Sequence, residues 1–234
     1  MVSHILFDFF GTLVTYAPDG AGHDFGRSHK LLQSMGSALG YEQYRALWSD
    51  VYGGFDREAC RTGHEFSMQD VTAGFLRQAT GGEPSADQAT ALASSYLADW
   101  DTCVRYLPGL SDMLASLSRQ YTLAVVSNTN DTGLVPAHLT AMEIAGYFDA
   151  VVLSVQVGRR KPHPAIFTAA LDQLGIGPDD AVFVGDSYLP DYQGAVQAGM
   201  TAFLIDPGNA AQIPDNARLA SLFELPAALA AMHG

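Results

Sequence analysis

The chain has 234 residues, of which 48% are hydrophobic and 16% are charged. This composition is typical of a globular protein with a substantial buried core, and it excludes a disordered or fibrous chain. A formal net charge of −13 argues against nucleic acid or an anionic membrane surface as a partner, because both attract clustered Lys and Arg. With no long apolar stretch and no secretory leader pattern, we expect a cytoplasmic protein.

The first predicted element is a buried strand that ends in an acid. Apolar residues 5–7 precede Asp8, and Gly11 and Thr12 follow shortly afterwards. A parallel strand delivers such a carboxylate to a crevice, where it can bind a cation or act as a covalent nucleophile. Gly11 allows a tight turn, and Thr12 offers a hydroxyl and an amide to an anion. From this stretch alone, Asp8 could equally be a cap for the turn that follows.

The next segment is predicted to be an inserted helical domain. Apolar residues recur at three- and four-residue spacing across it, which is typical of amphipathic helices. The predicted helices cover residues 25–39, 41–55, 68–79 and 86–100. Segments that contain Gly and Pro flank the insertion and would serve as hinges. We therefore assign residues 16–105 to a helical domain, and residues 1–15 and 106–234 to one core domain.

Helices and strands alternate regularly from residue 110 onward. The pattern predicts strands at 122–127, 150–153, 181–185 and 201–204, and helices at 110–120, 132–145, 164–174, 190–198 and 222–232. Strands without a polar face indicate a parallel sheet that is covered on both sides, so the predicted fold class is α/β with a doubly wound parallel sheet. Right-handed crossovers place the carboxyl ends of all strands at one edge, where such sheets bind ligands.

Polar residues from distant parts of the chain follow the ends of these strands. They are Asp8, Ser127, Asn128, Lys161, Asp186, Ser187 and Asp191. Three carboxylates, one amine and two hydroxyl groups at one edge suit the transfer of a phosphoryl group, or of another electrophile, to a carboxylate. The substrate would then be a small anionic molecule.

All of these residues except Asn128 and Ser187 have a predicted role in the chemical step or in binding a metal. Asp8 would attack the substrate, and Asp186, with Asp191 directly or through water, would hold a hard cation such as Mg²⁺. Lys161 would neutralise charge between the nucleophile and the substrate, and Ser127 would donate a hydrogen bond to an oxygen that gains charge. Structural roles are the alternative: Lys161 as a solvated loop residue, Ser127 as a helix cap and Asp186 as a turn former.

Four stretches together resemble the four motifs of the haloacid dehalogenase-like hydrolase superfamily. They are Asp8-Phe9-Phe10-Gly11-Thr12, Ser127-Asn128, Lys161-Pro162, and Gly185-Asp186-Ser187 followed by Asp191. The resemblance implies a Rossmann-like core and a mobile helical cap, formed by the insertion, that selects the substrate. It also implies that the backbone carbonyl of Phe10 helps Asp8 to bind the cation. Most members of the superfamily are Mg²⁺-dependent phosphatases, and a minority cleave carbon–halogen or carbon–phosphorus bonds.

Phe10 departs from the phosphatase version of the first motif. Phosphatases carry a second aspartate at this position, which protonates the leaving group and later activates water, and a phenyl ring cannot transfer protons. An aromatic residue here resembles the true 2-haloacid dehalogenases, whose halide needs no proton and whose cycle uses no metal. The pair Gly185-Asp186 resembles the phosphatases instead, and without a metal Asp186 would repel an anionic haloacid.

We therefore predict a Mg²⁺-dependent phosphatase that acts on a small phosphorylated metabolite through an aspartyl-phosphate. A metal-independent 2-haloacid dehalogenase, and a degenerate member that binds a phosphorylated ligand but turns it over slowly, are the alternatives. Phe10, Thr12 and Asn128 are predicted to contact the substrate. Arg27 and His23 of the insertion could neutralise its charge or protonate the leaving group, unless they lie on a solvated helix face. We expect a monomer or a homodimer.

Overall fold

The computed structural model describes residues 2–16 and 24–232, and the chain divides into two compact units. One unit combines Met1–Thr15 with Arg105–Gly234, and the other spans Tyr16–Val104. His23, which the sequence suggests as a substrate contact, lies outside the described residues.

The first unit is built on a parallel sheet. The strands that the described residues form are β1 (His4–Phe7), β2 (Val14–Thr15), β3 (Arg105–Tyr106), β4 (Thr122–Ser127), β5 (Phe148–Leu153), β6 (Ala181–Gly185), β7 (Thr201–Ile205) and β8 (Arg218–Leu219). Six of them pair in parallel in the order β5-β4-β1-β6-β7-β8, while β2 pairs antiparallel with β3. The inner strands are apolar and buried at nearly every residue, as a sheet with both faces covered requires. This confirms the predicted α/β fold.

The helices largely follow the predicted pattern. Those in the described residues are α1 (Gly26–Ser34), α2 (Tyr41–Thr62), α3 (Met68–Thr80), α4 (Ala86–Trp100), α5 (Leu110–Leu117), α6 (Leu134–Ala141), α7 (Ser154–Val157), α8 (Pro164–Leu174), α9 (Gly194–Gln197) and α10 (Leu225–Ala231). In place of a single predicted helix at 190–198, a π-helical turn, Tyr188–Gln193, precedes α9. Among the described helices, none combines the length and the apolar character that crossing a bilayer demands.

Apolar packing under the sheet fixes helix α8. Ile166 and Phe167 of α8 are fully buried, and the rings of Phe167 and Phe183 meet edge to face with centroids 5.4 Å apart. Burying one such side chain contributes roughly 1.5–3 kcal/mol. The N-terminus of α8 is capped by His163, whose Nδ1 accepts a hydrogen bond from the Ala165 amide. The loop that precedes α8 is therefore anchored to the sheet.

The second unit is a helical bundle, α1 to α4, with its own aromatic core. Trp48 stacks on Tyr96 with ring centroids 3.8 Å apart, and Tyr44 and Phe75 pack beside it. Trp100, at the end of α4, packs near Tyr16 of the same unit. These aromatic contacts join the helices of the bundle into one core of their own.

Candidate active site

The backbone after β1 places Asp8 at the carboxyl end of the sheet. The Asp8 amide donates to the carbonyl of Val184 on β6 at 2.9 Å, so strand pairing continues up to the acid. The chain then folds back, because the Leu13 amide donates to the Phe9 carbonyl at 2.9 Å. Gly11 adopts φ +96° in this turn, a conformation that favours glycine. The Asp8 side chain is thereby held at the edge of the sheet, only 6% exposed.

Two glycines give the acids room to approach. A Cβ on Gly11 would lie 2.1 Å from Oδ2 of Asp186, and a Cβ on Gly185 would lie 2.4 Å from the Cβ of Asp191. Both distances are far below van der Waals contact, so neither position accommodates a side chain while the acids stay in place. The sequence pattern predicts that Gly11 allows a tight turn. The structure shows that its missing side chain also leaves room for Asp186.

Lys161 joins two of the acids. Its Nζ lies 2.7 Å from Oδ1 of Asp8 and 2.7 Å from Oδ1 of Asp191, and the residue is 2% exposed. Burial alone lowers the pKa of the Lys161 ammonium, but the charges of Asp191 and Asp8 outweigh burial and the pKa is raised. The lysine therefore stays protonated, and its Nζ also lies 5.1 Å from the centre of the Phe183 ring.

Ser187 orients Asp186 and Asp191. Its amide donates to Oδ2 of Asp191 at 2.9 Å, and its hydroxyl donates to Oδ1 of Asp186 at 3.3 Å. Asp191 lies within the π-helical turn, whose amides at Asp191 and Tyr192 both donate to the Ser187 carbonyl. Single π-helical turns of this kind occur frequently at functional sites. The turn brings a buried carboxylate back beside the end of β6.

The three acids form a group that suits a divalent cation. One carboxylate oxygen from each of Asp8, Asp186 and Asp191 lies within 4.8 Å of the others. Burial, followed by the charge of Asp8, raises the pKa of Asp186 to about 6. Burial also raises the pKa of Asp191 to about 7, although Lys161 opposes the shift. When ionised, these acids exceed the single ammonium by two negative charges, which a hard dication with oxygen ligands would neutralise.

Thr12 and Phe10 lie in the turn after Asp8. The Thr12 hydroxyl donates to Oδ2 of Asp8 at 3.0 Å, so its observed partner is the predicted nucleophile. The Phe10 ring lies perpendicular to the rings of Phe9 and His138, with centroids 4.8 and 6.2 Å away. Sequence analysis did not single out His138, because an isolated histidine in a helix carries no motif. The substrate contacts predicted for Thr12 and Phe10 stay predictions.

Ser127 is the last residue of β4, and Asn128 follows it directly. Ser127 is fully buried, and its hydroxyl lies 3.5 Å from the Asn128 carbonyl. The Asn128 side chain contacts the backbone of Lys161 through both its oxygen and its nitrogen. A substrate contact of Asn128, as predicted, would therefore compete with its two hydrogen bonds to the Lys161 backbone.

Arg27 belongs to the helical unit, on α1. Its side chain is 65% exposed, and its Nε lies 3.3 Å from Oδ1 of the buried Asp99. Asp99 also accepts hydrogen bonds from the amide and the hydroxyl of Ser28, at 2.8 and 2.7 Å. A fixed carboxylate thus anchors the guanidinium of Arg27 within its own unit.

A sequence model of haloacid dehalogenase-like hydrolases matches residues 50–205. The chain belongs to the haloacid dehalogenase-like hydrolase family, and it is an enzyme of the hydrolase class. The resemblance drawn from the four motifs is thereby confirmed.

Among curated relatives, phosphatases recur. The chain is 26% identical over 220 residues to a ribulose-1,5-bisphosphate 5-phosphatase of Halopiger xanaduensis, and the alignment covers 93% of this chain and 90% of that relative. It is 31% identical over 135 residues to a glyceraldehyde 3-phosphate phosphatase of Methanopyrus kandleri, covering 53% of this chain and 58% of the relative. The second alignment thus spans little more than half of either protein.

Solved structures with the same fold include both kinds of enzyme. A 2-haloacid dehalogenase from Pseudomonas syringae aligns with a TM-score of 0.71 at 25% identity, covering 99% of this chain and 100% of the other. A phosphatase of the same family from Thermococcus onnurineus aligns with a TM-score of 0.67 at 25% identity, covering 98% of each chain. The overall fold therefore does not separate the two activities.

Proposed function

We propose that this protein is a Mg²⁺-dependent phosphatase that acts on a small phosphorylated metabolite through an aspartyl-phosphate on Asp8. The observation that carries the proposal is the group of acids within 4.8 Å of one another, which includes Asp186 and Asp191 beside the nucleophile. The names of the two curated relatives, both phosphatases, support it. A dehalogenase that works without metal has no use for the additional carboxylate of Asp186 beside Asp8, which would repel an anionic haloacid.

The proposed reaction uses the observed partners of Asp8. An oxygen of Asp8 attacks phosphorus and the ester bond breaks; water then hydrolyses the acyl phosphate and restores the carboxylate. Thr12 and Lys161 each hold one oxygen of Asp8, which orients the carboxylate for attack. The Lys161 ammonium lowers the electrostatic cost of bringing an anionic substrate up to the acids, and the buried Ser127 hydroxyl would donate to a phosphoryl oxygen.

The same acids would hold the metal. Asp8, Asp186, Asp191 and the backbone carbonyl of Phe10 are the proposed ligands, the last by family resemblance. Bound there, Mg²⁺ would supply a Lewis acid that neutralises charge on the phosphoryl oxygens. Because Gly11 and Gly185 have no side chains, the carboxylates of Asp186 and Asp191 can lie close enough to Asp8 to form this set of ligands.

Phe10 limits the substrates that this site can serve. The phenyl side chain at this position cannot donate a proton. The favoured substrates are therefore those whose leaving group has low basicity or is protonated by a residue of the helical unit. We propose residues 16–105 as the cap that selects the substrate, with Arg27 and His23 as its candidate contacts. Arg27 is suited to this role because Asp99 fixes its guanidinium.

A 2-haloacid dehalogenase is the second candidate, favoured by Phe10 and by the structural similarity to such an enzyme. In that reaction Asp8 would displace halide from carbon and water would hydrolyse the resulting ester, so no proton donor is needed for the leaving group. This activity would persist without metal, which separates it from the phosphatase.

The deciding experiment measures phosphate and halide release in parallel. A panel of sugar phosphates, short-chain phosphates and 2-haloacids is assayed with excess Mg²⁺ and after exhaustive chelation. The phosphatase proposal expects phosphate release that chelation abolishes and Mg²⁺ restores. Halide release from a 2-haloacid after chelation would contradict it and establish the second candidate. A phosphate ester that raises the melting temperature without any release would instead indicate a ligand-binding protein.

Replacement of the nucleophile gives the first prediction. We expect Asp8→Asn to lower the turnover number by roughly 10³-fold or more, because an amide oxygen does not replace the attacking carboxylate. Initial rates of phosphate release measure the effect. Asp215→Asn, a change at an exposed acid of the same unit, is the matched control and should retain the wild-type rate. Equal rates in Asp8→Asn and wild type would remove the covalent mechanism.

A further inference from the structure

The side chain of Asn128 is bound to the backbone of the catalytic lysine. Its Nδ2 donates to the Lys161 carbonyl at 3.0 Å, and its Oδ1 accepts from the Lys161 amide at 2.7 Å. One side-chain amide thus binds both the N–H and the C=O of one residue, across 33 positions of sequence. The assignment of oxygen and nitrogen in Asn128 follows from these partners, because the backbone amide can only donate and the carbonyl can only accept.

This pair of hydrogen bonds holds the backbone of Lys161 in place, and the ammonium at the other end of its side chain is held as well. At the far end, the Lys161 ammonium lies 2.7 Å from both Asp8 and Asp191. The Asn128 end is set by β4, which hydrogen-bonds to β1 and β5 in the middle of the sheet. The lysine is therefore held between the sheet and the acids, and little freedom remains to be lost when substrate binds.

The loop around Lys161 supplies few other constraints of this kind. The His163 amide donates to the Arg160 carbonyl at 2.8 Å, which closes a turn across Lys161 but binds neither of its own backbone groups. Among the described residues, Asn128 is the hydrogen-bond partner of both the amide and the carbonyl of Lys161. Loss of this side chain would remove the partner of two half-buried backbone groups, which would destabilise the backbone at Lys161.

We propose that Asn128 is a positioning residue that acts on the reaction through Lys161, in place of the substrate contact that its motif suggests. The catalytic part rests on the proposed function, whereas the contact between Asn128 and Lys161 does not. Without the Asn128 amide, the Lys161 backbone shifts and the ammonium is no longer shared evenly between Asp8 and Asp191. The nucleophile then loses its orientation, so the turnover number falls while substrate affinity changes little.

Two substitutions separate positioning from substrate binding. We expect Asn128→Ala to lower kcat by about 10–100-fold with KM changed less than about threefold, as for other residues that orient catalytic groups. Asn128→Asp keeps the acceptor for the Lys161 amide but loses the donor to its carbonyl, so its kcat should lie between those of Asn128→Ala and wild type. Asn216→Ala removes the same group at an exposed site of the same unit and should match wild type. A rise in KM at constant kcat, steepest for Asn128→Asp because it would repel an anionic substrate, would overturn the proposal.

A double-mutant cycle tests whether the effect passes through the ammonium. In the Lys161→Ala background the backbone groups of residue 161 remain, but the ammonium is gone. We expect Asn128→Ala to lower kcat by less than about twofold in this background, since the two substitutions then remove the same function. Additive losses in the double variant would overturn the proposal.

A spectroscopic measurement tests the contact without any substrate. In protein labelled with ¹⁵N-lysine, the ammonium of the buried, ion-paired Lys161 should give a resolved signal that Lys161→Ala identifies by its loss. We expect Asn128→Ala and Asn128→Asp to shift or broaden this signal, and Asn216→Ala to leave it unchanged. An unaltered signal in both folded Asn128 variants would overturn the proposal. If wild type releases neither phosphate nor halide, the proposed function fails while this measurement still decides the role of Asn128.

Discussion

A phenyl ring at position 10 sets the chemical limit of the proposed site. The ring packs edge to face on Phe9 and lies beside His138, whose Nδ1 is hydrogen-bonded to the Tyr106 hydroxyl at 3.0 Å. None of these aromatic side chains carries a carboxyl group that could protonate a leaving oxygen. The proposed phosphatase therefore depends on substrates whose leaving groups require little help from an acid.

Restoring a carboxyl group at this position should broaden the activity. We expect Phe10→Asp to raise kcat/KM for alkyl phosphates by up to about 10²-fold, because a general acid contributes about 10²–10⁴-fold when it is well placed. Aryl phosphates, which leave without protonation, should respond much less. Phe10→Asn has the same shape without the transferable proton and is the control. Equal rates for the two variants on alkyl phosphates would contradict this account of Phe10.

The raised acid pKa values make folding stability depend on pH when metal is absent. The pKa of Asp186 rises from 3.8 to about 6, and that of Asp191 from 3.8 to about 7. A raised acid pKa means that the folded protein binds protons more tightly than the unfolded chain. These groups therefore lower the free energy of unfolding as the pH rises from about 4 to about 7.

Melting temperatures test this sign. For the chelated protein we expect a lower melting temperature at about pH 8 than at about pH 5, and we expect Mg²⁺ to raise it more at the higher pH, since the metal binds ionised carboxylates. Asp186→Asn should reduce the difference between the two pH values, because it removes one titrating group. A Mg²⁺ effect of equal size at both pH values would argue against these acids as the metal ligands.

At the scale of elements, the turn after β1 depends on the absence of a side chain. Gly11→Ala would place a Cβ against Asp186 and at φ +96°, so we expect lower stability together with a loss of Mg²⁺ affinity. Gly158→Ala is the matched control, because Gly158 has φ +75° in the same unit but no atom within 4 Å of the added Cβ. It should lose about 1 kcal/mol of stability from backbone strain and keep its Mg²⁺ affinity. Calorimetric titration of Mg²⁺ into both variants measures the difference, and equal affinities would show that the clearance at Gly11 is dispensable.

Sequence patterns predicted the long elements because their ends carry clear signals. β4, β6 and α8 have the bounds that apolar runs and flanking turn residues indicate. The pair β2 and β3 was missed, since each strand has two residues and its partner lies about 90 positions away. The π-helical turn was also missed, because its sequence has the spacing of an ordinary helix.

The candidate site was also predictable only in part: the convergence of the acids was, but the individual side-chain contacts were not. Topology alone indicates that acids at the ends of β1 and β6 come together, because parallel strands end at one edge. The contacts of Thr12 with Asp8 and of Asn128 with Lys161 were not predictable. They depend on side-chain directions within loops, which periodicity does not determine.

At the scale of the whole molecule, the net charge of −13 opposes an anionic substrate. We expect kcat/KM for a phosphate ester, at saturating Mg²⁺, to rise about two- to fivefold as sodium chloride increases from low to physiological concentration, because salt screens the repulsion during encounter. The rate at saturating substrate should change little and serves as the control. A fall in kcat/KM with salt would mean that local positive charge, such as that of Lys161, dominates the approach.

The aromatic core of the helical bundle makes the two units optically distinct. Both tryptophans of the chain, Trp48 and Trp100, belong to Tyr16–Val104, and the sheet unit contains none. Indole fluorescence therefore reports on the bundle alone, while far-ultraviolet circular dichroism sees both units. A denaturation series followed by both signals would reveal whether the two halves melt together or in sequence, with no label introduced.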